Sequence, residues 1–377
     1  MNAFLIRKIR GIVALVLIDA SALVCLSLNA PKAQTATTRT KNAASPQAAT
    51  AKIVKAADTF LATLSPQQRK SVLFAFDDAA QRKRWSKFPT GFVPRSGVKL
   101  GDLNPAQRSA ALALLSSTLS QRGYEKVQQI MEADEILKKD DKGGPGQGRG
   151  NGPRVGGGGA MFGKDLYYFS FLGTPSETAP WMLQFGGHHL ALNITIVGER
   201  GILTPSWTGA QPGLYTVGGK TVRPLGQESD KGIALLNALY EAQRKQAILN
   251  YRVGDLVLGP GQDGRTILPE GLKASAMNEK QRAMLLGLIS EWAGIIHESE
   301  AATRMAEIKA DLDATWFAWS GLTTAAPGRN ITAYYRIQGP HLVIEYSPQG
   351  LGGDPSNHIH AMYRDPTNDY GRGLVAK

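Results

Sequence analysis

Apolar residues in the first third of the chain recur at intervals of three and four positions, the spacing of a helix with one buried face. Helices are predicted over about 46–62, 66–83, 105–138, 229–249 and 279–312. Three of them begin at a capping box, in which a Ser or Asn is followed three residues later by Gln. The boxes are Ser65 with Gln68, Asn104 with Gln107 and Asn278 with Gln281. We therefore expect residues 46–142 to form a helical N-terminal region.

Beyond Leu166 the pattern changes to an alternation of apolar or aromatic residues with smaller ones, which is typical of strands. Strands are predicted over 167–171, 190–197, 331–337, 341–346 and 358–364. With the intervening helices they predict an α+β fold over 160–372: an antiparallel or mixed β-sheet core packed with helices and preceded by an all-helical N-terminal layer. Residues 373–377 are expected to form a C-terminal tail.

The first 33 residues have the layout of a secretory signal peptide. Residues 1–10 carry three basic residues and no acidic one, an apolar run follows over 11–30, and small and polar residues come next. A signal peptide over 1–33 and a flexible tether over 34–45 are predicted, with a periplasmic or secreted location and no integral membrane domain after cleavage. The alternative is a membrane anchor formed by residues 11–30, but Asp19 near its centre would cost about 2.5–3.5 kcal/mol on insertion.

Glycine is concentrated in one stretch. Residues 143–159 contain ten Gly. A phosphate-binding loop would need a buried strand before it and a Gly-Lys-Ser or Gly-Lys-Thr after it, and the sequence offers neither. The stretch is therefore predicted to be a flexible linker or insertion.

Composition excludes several classes of function. Hydrophobic residues make up 42% of the 377 residues, enough for a packed core, and the single Cys excludes a disulfide framework and a cysteine-based metal site. The formal net charge is +12, but basic and acidic residues are interspersed, as in Glu241 with Arg244 and Lys245. A solvated helix face explains this pattern, so we expect no nucleic-acid partner; the sequence predicts no oligomeric state.

Four of the six His residues occur in two pairs, which is the most informative feature of the sequence. His358 and His360 are two positions apart in a predicted strand, so their side chains project from one face with Cα atoms about 6.5–7 Å apart. Two imidazoles at that spacing can bind one divalent transition metal ion such as zinc, copper or iron. The alternative is a polar strand face with hydrogen-bonded histidines. Of the remaining two, His341 is expected to be structural and His297 to lie on a helix surface.

The second pair is His188 and His189. Extending the strand that starts near Leu190 backwards places His188 on its apolar face and His189 on its semi-polar face. His189 is then the better candidate ligand, and His188 becomes a core residue or a hydrogen-bond donor behind the ligands. Gly186 and Gly187 are consistent with a bulge that would change this parity, so the assignment between the two histidines stays open.

Four further residues are candidates for catalytic roles: Glu345, Arg336, Arg364 and Asp365. Glu345 lies in an otherwise apolar strand, where burial without a partner is costly, so it is expected to pair with a metal ion or with a cation such as Arg336. Arg364 and Asp365 follow the His358 pair closely. They form either a capped turn or, together with Arg336, a group that positions a polar or anionic substrate.

Taken together, these motifs resemble the family known as domain of unknown function 3500. The resemblance includes Gln184-Phe185-Gly186-Gly187-His188-His189-Leu190, Thr204-Pro205-Ser206-Trp207-Thr208-Gly209-Ala210, Tyr335-Arg336-Ile337-Gln338-Gly339-Pro340 and Asn357-His358-Ile359-His360. The matching stretches span about 50–372, nearly the whole expected mature chain. The resemblance supports the fold grouping and the occurrence of these motifs together, and it implies no particular reaction.

These observations lead to the hypothesis of an exported metal-binding enzyme, a hydrolase or an oxidoreductase acting on a small molecule. Its site combines His358 and His360 with His189 or His188. The alternative is a metal-free binding module whose histidines only donate hydrogen bonds. In that case the pocket would be lined by aromatic residues, namely Tyr334, Tyr335, Trp316 and Trp319.

Overall fold

The computed structural model describes residues 45–141, 161–351 and 353–376. These residues belong to one compact unit, Ala43–Lys377. The predicted signal peptide, residues 34–44 of the tether and the Gly-rich linker lie outside the described residues, so these predictions are not tested.

The described ranges contain ten helices and thirteen strands. The helices are α1 (Pro46–Thr63), α2 (Pro66–Val72), α3 (Ala79–Arg82), α4 (Pro105–Thr118), α5 (Gln121–Asp141), α6 (Gly226–Ala238), α7 (Glu241–Ala247), α8 (Glu279–Ala293), α9 (Glu298–Ala310) and α10 (Arg372–Val375). The strands are β1 (Leu73–Phe74), β2 (Val98–Lys99), β3 (Tyr168–Leu172), β4 (Trp181–Gly187), β5 (Leu190–Val197), β6 (Arg200–Ala210), β7 (Tyr215–Val217), β8 (Lys220–Val222), β9 (Leu272–Lys273), β10 (Trp316–Ser320), β11 (Tyr334–Gly339), β12 (Leu342–Pro348) and β13 (Ile359–Arg364). The three predicted capping boxes all form and start α2, α4 and α8.

One 11-stranded sheet organises the fold, in the order β1-β3-β4-β5-β6-β13-β12-β11-β10-β9, with β2 also paired to β3. Strands β3 to β6 form one antiparallel meander and β10 to β13 form another. The two meanders join where β6 pairs antiparallel with β13. Because β1 runs parallel to β3, the sheet is mixed, and the predicted α+β class is confirmed.

The two faces of this sheet differ in chemistry. One face carries apolar side chains such as Phe169, Leu192 and Ile344, which share a buried core with helical residues such as Phe60 and Leu285. The other face carries polar and charged side chains and is covered by loops. Glu345 on this face accepts hydrogen bonds from the backbone of the 249–271 loop, and Gln184 accepts one from Gln81 at 3.0 Å.

The N-terminal helices pack on the same core as the sheet, and the ring centroids of Phe60 and Phe169 are 5.4 Å apart. This region also supplies two short strands, β1 and β2. The predicted 66–83 helix therefore ends at Val72, where the chain pairs with β3. The predicted 105–138 helix breaks between α4 and α5, because Ser120 turns to bond the Gly294 carbonyl at 2.6 Å. Among the helices of the described ranges, none combines the length and hydropathy that crossing a bilayer requires.

Candidate metal centre

The first histidine pair forms a tight turn between β4 and β5. Gly187 pairs with Leu190 across the hairpin, so His188 and His189 are the two loop residues. His189 has φ 58°, in the left-handed region that non-glycine residues rarely adopt. The predicted backward extension of the strand through both histidines is therefore wrong, since the backbone reverses at this point.

The second histidine pair reaches the same place from β13. His360 lies within this strand, and His358, just before it, has an extended backbone with φ −138° and ψ 111°. Strand β6 lies between the pairs: Gly209 is opposite His360 and donates its N–H to the carbonyl of His189 at 2.7 Å. The pairing of β6 with both β5 and β13 thus brings two distant segments together.

Three imidazoles converge on one point. The Nε2 atoms of His189 and His358 are 3.0 Å apart, and those of His358 and His360 are 3.1 Å apart. Two nitrogen ligands bound tetrahedrally to one ion at about 2.0–2.1 Å would lie roughly 3.3 Å apart, so small shifts would accommodate a metal ion. The three residues are all buried and form a group that can hold a metal ion.

The tautomer of His358 suits ligation. Its Nδ1 lies 2.7 Å from the carbonyl oxygen of Leu351, which can only accept, so Nδ1 carries the proton and Nε2 of the neutral ring has a free lone pair. Metal-binding histidines usually make such a bond with their other nitrogen. The one lone pair on Nε2 of His358 cannot accept good hydrogen bonds from both His189 and His360. A cation between the three Nε2 atoms would interact favourably with the lone pair of each.

Burial keeps these rings neutral. Desolvation lowers the pKa of His358 to about 4, and it lowers the pKa values of His189 and His360 well below the usual 6.5. The neighbouring imidazoles act in the same direction, since two adjacent positive charges repel. The three rings therefore have lone pairs available for a metal ion at neutral pH.

His188 lies beside this group and contacts the carboxylate of Asp134. Its Nδ1 lies 2.7 Å from Oδ1 of Asp134, and its ring centroid lies 3.7 Å from that of His189. Asp134 is only 1% exposed and also accepts the N–H of Gly163 at 3.0 Å. Asp134, His188 and His189 form a second group able to hold a metal ion. The sequence motifs did not point to Asp134.

A pocket of about 450 Å³ opens onto all four histidines. Its remaining walls are mostly apolar, with Lys87 and Gln211 as the polar exceptions. The apolar lining residues are Phe88, Pro89, Phe92, Phe162 and Leu351. Among these, Phe162 packs on His188 with 5.0 Å between ring centroids. The site therefore combines a histidine cluster that can hold a metal ion with an apolar pocket of the size that small molecules occupy.

The four predicted catalytic residues lie outside this pocket. Glu345 accepts hydrogen bonds from the N–H groups of Val257 and Leu258, each at 2.7 Å, and from the hydroxyl of Tyr334 at 2.6 Å. Burial raises the pKa of Glu345, and these hydrogen bonds oppose that rise. Arg336 is opposite Glu345 in the sheet, but its ion pair is with Glu270 at 2.7 Å.

Arg364 and Asp365 are also engaged elsewhere. Arg364 forms a fully buried ion pair with Asp369 at 2.6 Å, and Asp365 pairs with Arg304 at 3.1 Å. Asp365 lines a separate cavity of about 550 Å³, as does His341. His297 caps helix α9 by accepting the N–H of Ser299. The structure thus brings the predicted histidine ligands together and leaves these residues apart.

The aromatic residues of the alternative hypothesis do not line the histidine pocket. Trp319 and Tyr335 stack in the apolar core with 5.9 Å between ring centroids. Tyr334 is buried against Glu345, and Trp316 lies on β10. The aromatic wall that the structure has instead comes from Phe88, Phe92 and Phe162.

The fold and the site define an α+β protein with a histidine cluster that can hold a metal ion beside an apolar pocket. The chain belongs to the family described as "Protein of unknown function (DUF3500)", whose model matches residues 46–372. This match confirms the resemblance seen in the sequence motifs. A search of curated proteins and a search of solved structures found no match.

Proposed function

We propose that the protein is a metal-dependent enzyme in which His189, His358 and His360 hold one divalent transition metal ion. The observation that carries the proposal is the convergence of their three Nε2 atoms, at 3.0 and 3.1 Å, on the wall of a pocket. Imidazole is a good ligand for zinc, copper and iron, so the ligand set is compatible with each. Three protein ligands would leave a coordination position for water or substrate.

The chemistry follows from the charge of the ligands. A divalent ion held by three neutral imidazoles would keep its full charge, so it would polarise a carbonyl or lower the pKa of water, and copper or iron would add redox chemistry. The protein is accordingly a hydrolase or an oxidoreductase. His188 lines the same pocket, and its contact with Asp134 at 2.7 Å would hold its ring in place beside His189.

The second candidate is a metal-free binding module, and the apolar pocket favours it. Metal analysis of the purified protein separates the two. We expect about one transition metal ion per chain in the wild type and a loss of most of it in His358→Ala and His360→Ala. His341→Ala is the matched control, because His341 is exposed and lies outside the cluster. A folded wild type that binds no metal when offered zinc, copper or iron would favour the binding module.

Export to the periplasm or the exterior is part of the proposal, because such a location would explain the basic and apolar start of the chain. N-terminal sequencing of the protein recovered from the producing cell tests it. Cleavage near residue 33 is the expected result, and an intact Met1 in a membrane fraction would favour the anchor over 11–30.

A further inference from the structure

We infer that the histidine pocket takes a small molecule with an uncharged aromatic or aliphatic body and one polar metal-binding group. The polar group would face the three histidines, and the body would lie against the Phe-rich wall. The inference rests on the proposed function, since it assigns a class of substrate to the same site.

The composition of the wall carries the inference. Five of the seven lining residues other than His are apolar, and three of these are Phe. They come from three separate segments, with Phe88 and Phe92 in one loop, Phe162 before β3 and Leu351 after β12. Three segments that meet to form one apolar surface around a polar centre are typical of a ligand site.

The exposure of this wall is a second observation. Phe88 is 53% exposed, Phe92 46% and Leu351 81%, although large apolar side chains are usually buried. All three line the pocket. Apolar exposure that is clustered in this way marks a binding surface, whereas scattered exposure needs no explanation.

The charges around the pocket favour an uncharged ligand body. Among the described residues that line the pocket, Lys87 is the one outside the histidines with a formal charge, and its Nζ pairs with Asp255 at 2.7 Å. Arg336 and Arg364, which the sequence suggested for an anionic substrate, form ion pairs elsewhere. A negative charge on the body, away from the metal-binding group, would therefore lose its hydration without gaining a free cationic side chain among the described residues that line the wall.

The loop that carries Phe88 is held in place before any ligand arrives. The guanidinium of Arg95 donates to the carbonyl oxygens of Ser86 at 2.7 Å, Phe88 at 2.8 Å and Gly187 at 3.4 Å. Gly187 directly precedes His188, so one side chain joins the apolar loop to the histidine turn. A preformed wall binds a ligand without the cost of ordering the loop.

The test uses two probes with the same metal-binding group and different bodies. Protein loaded with Co²⁺ is titrated with acetohydroxamate and with benzohydroxamate, and binding is followed by the visible Co²⁺ spectrum. We expect benzohydroxamate to bind at least about ten-fold more tightly, because only its ring contacts the Phe wall. A 4-carboxybenzohydroxamate probe should lose most of this gain.

Variants test whether the Phe-rich wall causes the preference for benzohydroxamate. Phe92→Ala should reduce the preference for benzohydroxamate several-fold and leave Co²⁺ binding unchanged. Leu268→Ala is the matched control, because Leu268 is 86% exposed and does not line the pocket. Both changes remove an exposed apolar side chain, so little effect on folding is expected from either.

The outcomes separate the inference from the proposed function. Bound Co²⁺ with equal affinity for the two probes, or a preference for the carboxylated probe, overturns the inference and leaves the metal site standing. If no metal binds, the proposed function fails, and the neutral dye N-phenyl-1-naphthylamine tests the pocket alone. Saturable dye binding that Phe92→Ala weakens supports the inference, and its absence overturns it.

Discussion

Gly209 lies directly behind the imidazole of His189, and no larger residue fits between them. A Cβ atom at Gly209 would come 2.9 Å from Cδ2 of His189 and 2.9 Å from the carbonyl oxygen of Ile359. Gly209 is not among the glycines with positive φ, so it is the lack of space that excludes a side chain. The position of the His189 ring therefore requires glycine, whose side chain is a single hydrogen atom, at position 209 of β6.

Gly209→Ala should displace the ring of His189 and lower metal affinity by about ten-fold or more, the size of effect seen when residues supporting a ligand are altered. Competition with a chromophoric chelator measures the affinity. Gly287→Ala in α8 is the matched control, because a Cβ there meets nothing within 4 Å. Unchanged affinity in Gly209→Ala would argue against His189 as a ligand.

Asp134→Asn should weaken metal binding without abolishing it. The change removes a buried negative charge beside His188 and His189, which lowers the attraction for a cation, while the three Nε2 atoms stay in place. We expect an affinity loss of about ten-fold by the same chelator competition. Glu135→Gln, next to it on α5, is the control and should have little effect. Equal losses in the two variants would show that Asp134 has no special role.

Glu345→Gln should destabilise the fold by about 2 kcal/mol, because the amide cannot accept all the hydrogen bonds that the carboxylate accepts from Val257, Leu258 and Tyr334. Metal content should be unchanged, since Glu345 is not in the group of converging ligands. Urea unfolding and metal analysis of the same preparation give both values. Loss of metal from a folded Glu345→Gln variant would indicate that Glu345 contributes to the metal site.

The half of the site formed by His358 and His360 could be predicted from the sequence, because the two-residue period of a strand determines which side chains share a face. His358 and His360 share a face, as the two-residue spacing requires, even though His358 precedes β13 by one residue. The choice between His188 and His189 stayed open because His189 has a positive φ in a tight turn. The order of apolar and polar residues does not reveal such a backbone conformation. Asp134 did leave a signal: it falls on the buried stripe of α5 formed by Val127, Ile130 and Met131.

Strand parity alone does not predict that the four candidate catalytic residues lie outside the histidine pocket. Glu345 lies on the same face as His360, since Glu345 pairs with Met362 and His360 pairs with Ser347 in the adjacent strand. Parity gives the face, but it does not give the loop that covers that face. The 249–271 loop supplies the N–H groups that occupy the Glu345 carboxylate, and nothing local in the β12 sequence indicates this loop.

The pH dependence of stability tests whether the histidines are neutral in the folded protein. Burial lowers the pKa of His358 to about 4, whereas an unfolded chain has a value near 6.5. Between these values the unfolded state binds a proton that the folded state does not. The stability of the metal-free protein should therefore be highest above about pH 6.5 and fall as the pH drops toward 4, by about 3 kcal/mol for this residue.

His358→Gln isolates that contribution. The amide does not titrate, so the free energy of unfolding of the metal-free variant should fall less steeply between pH 7 and 4 than that of the wild type. Urea unfolding at several pH values, with a chelator present throughout, measures the difference. Buried carboxylates such as Glu345, whose pKa is raised, oppose the trend equally in both proteins and cancel in the comparison. Parallel pH profiles would contradict the prediction, because they would mean that folding does not lower the pKa of His358.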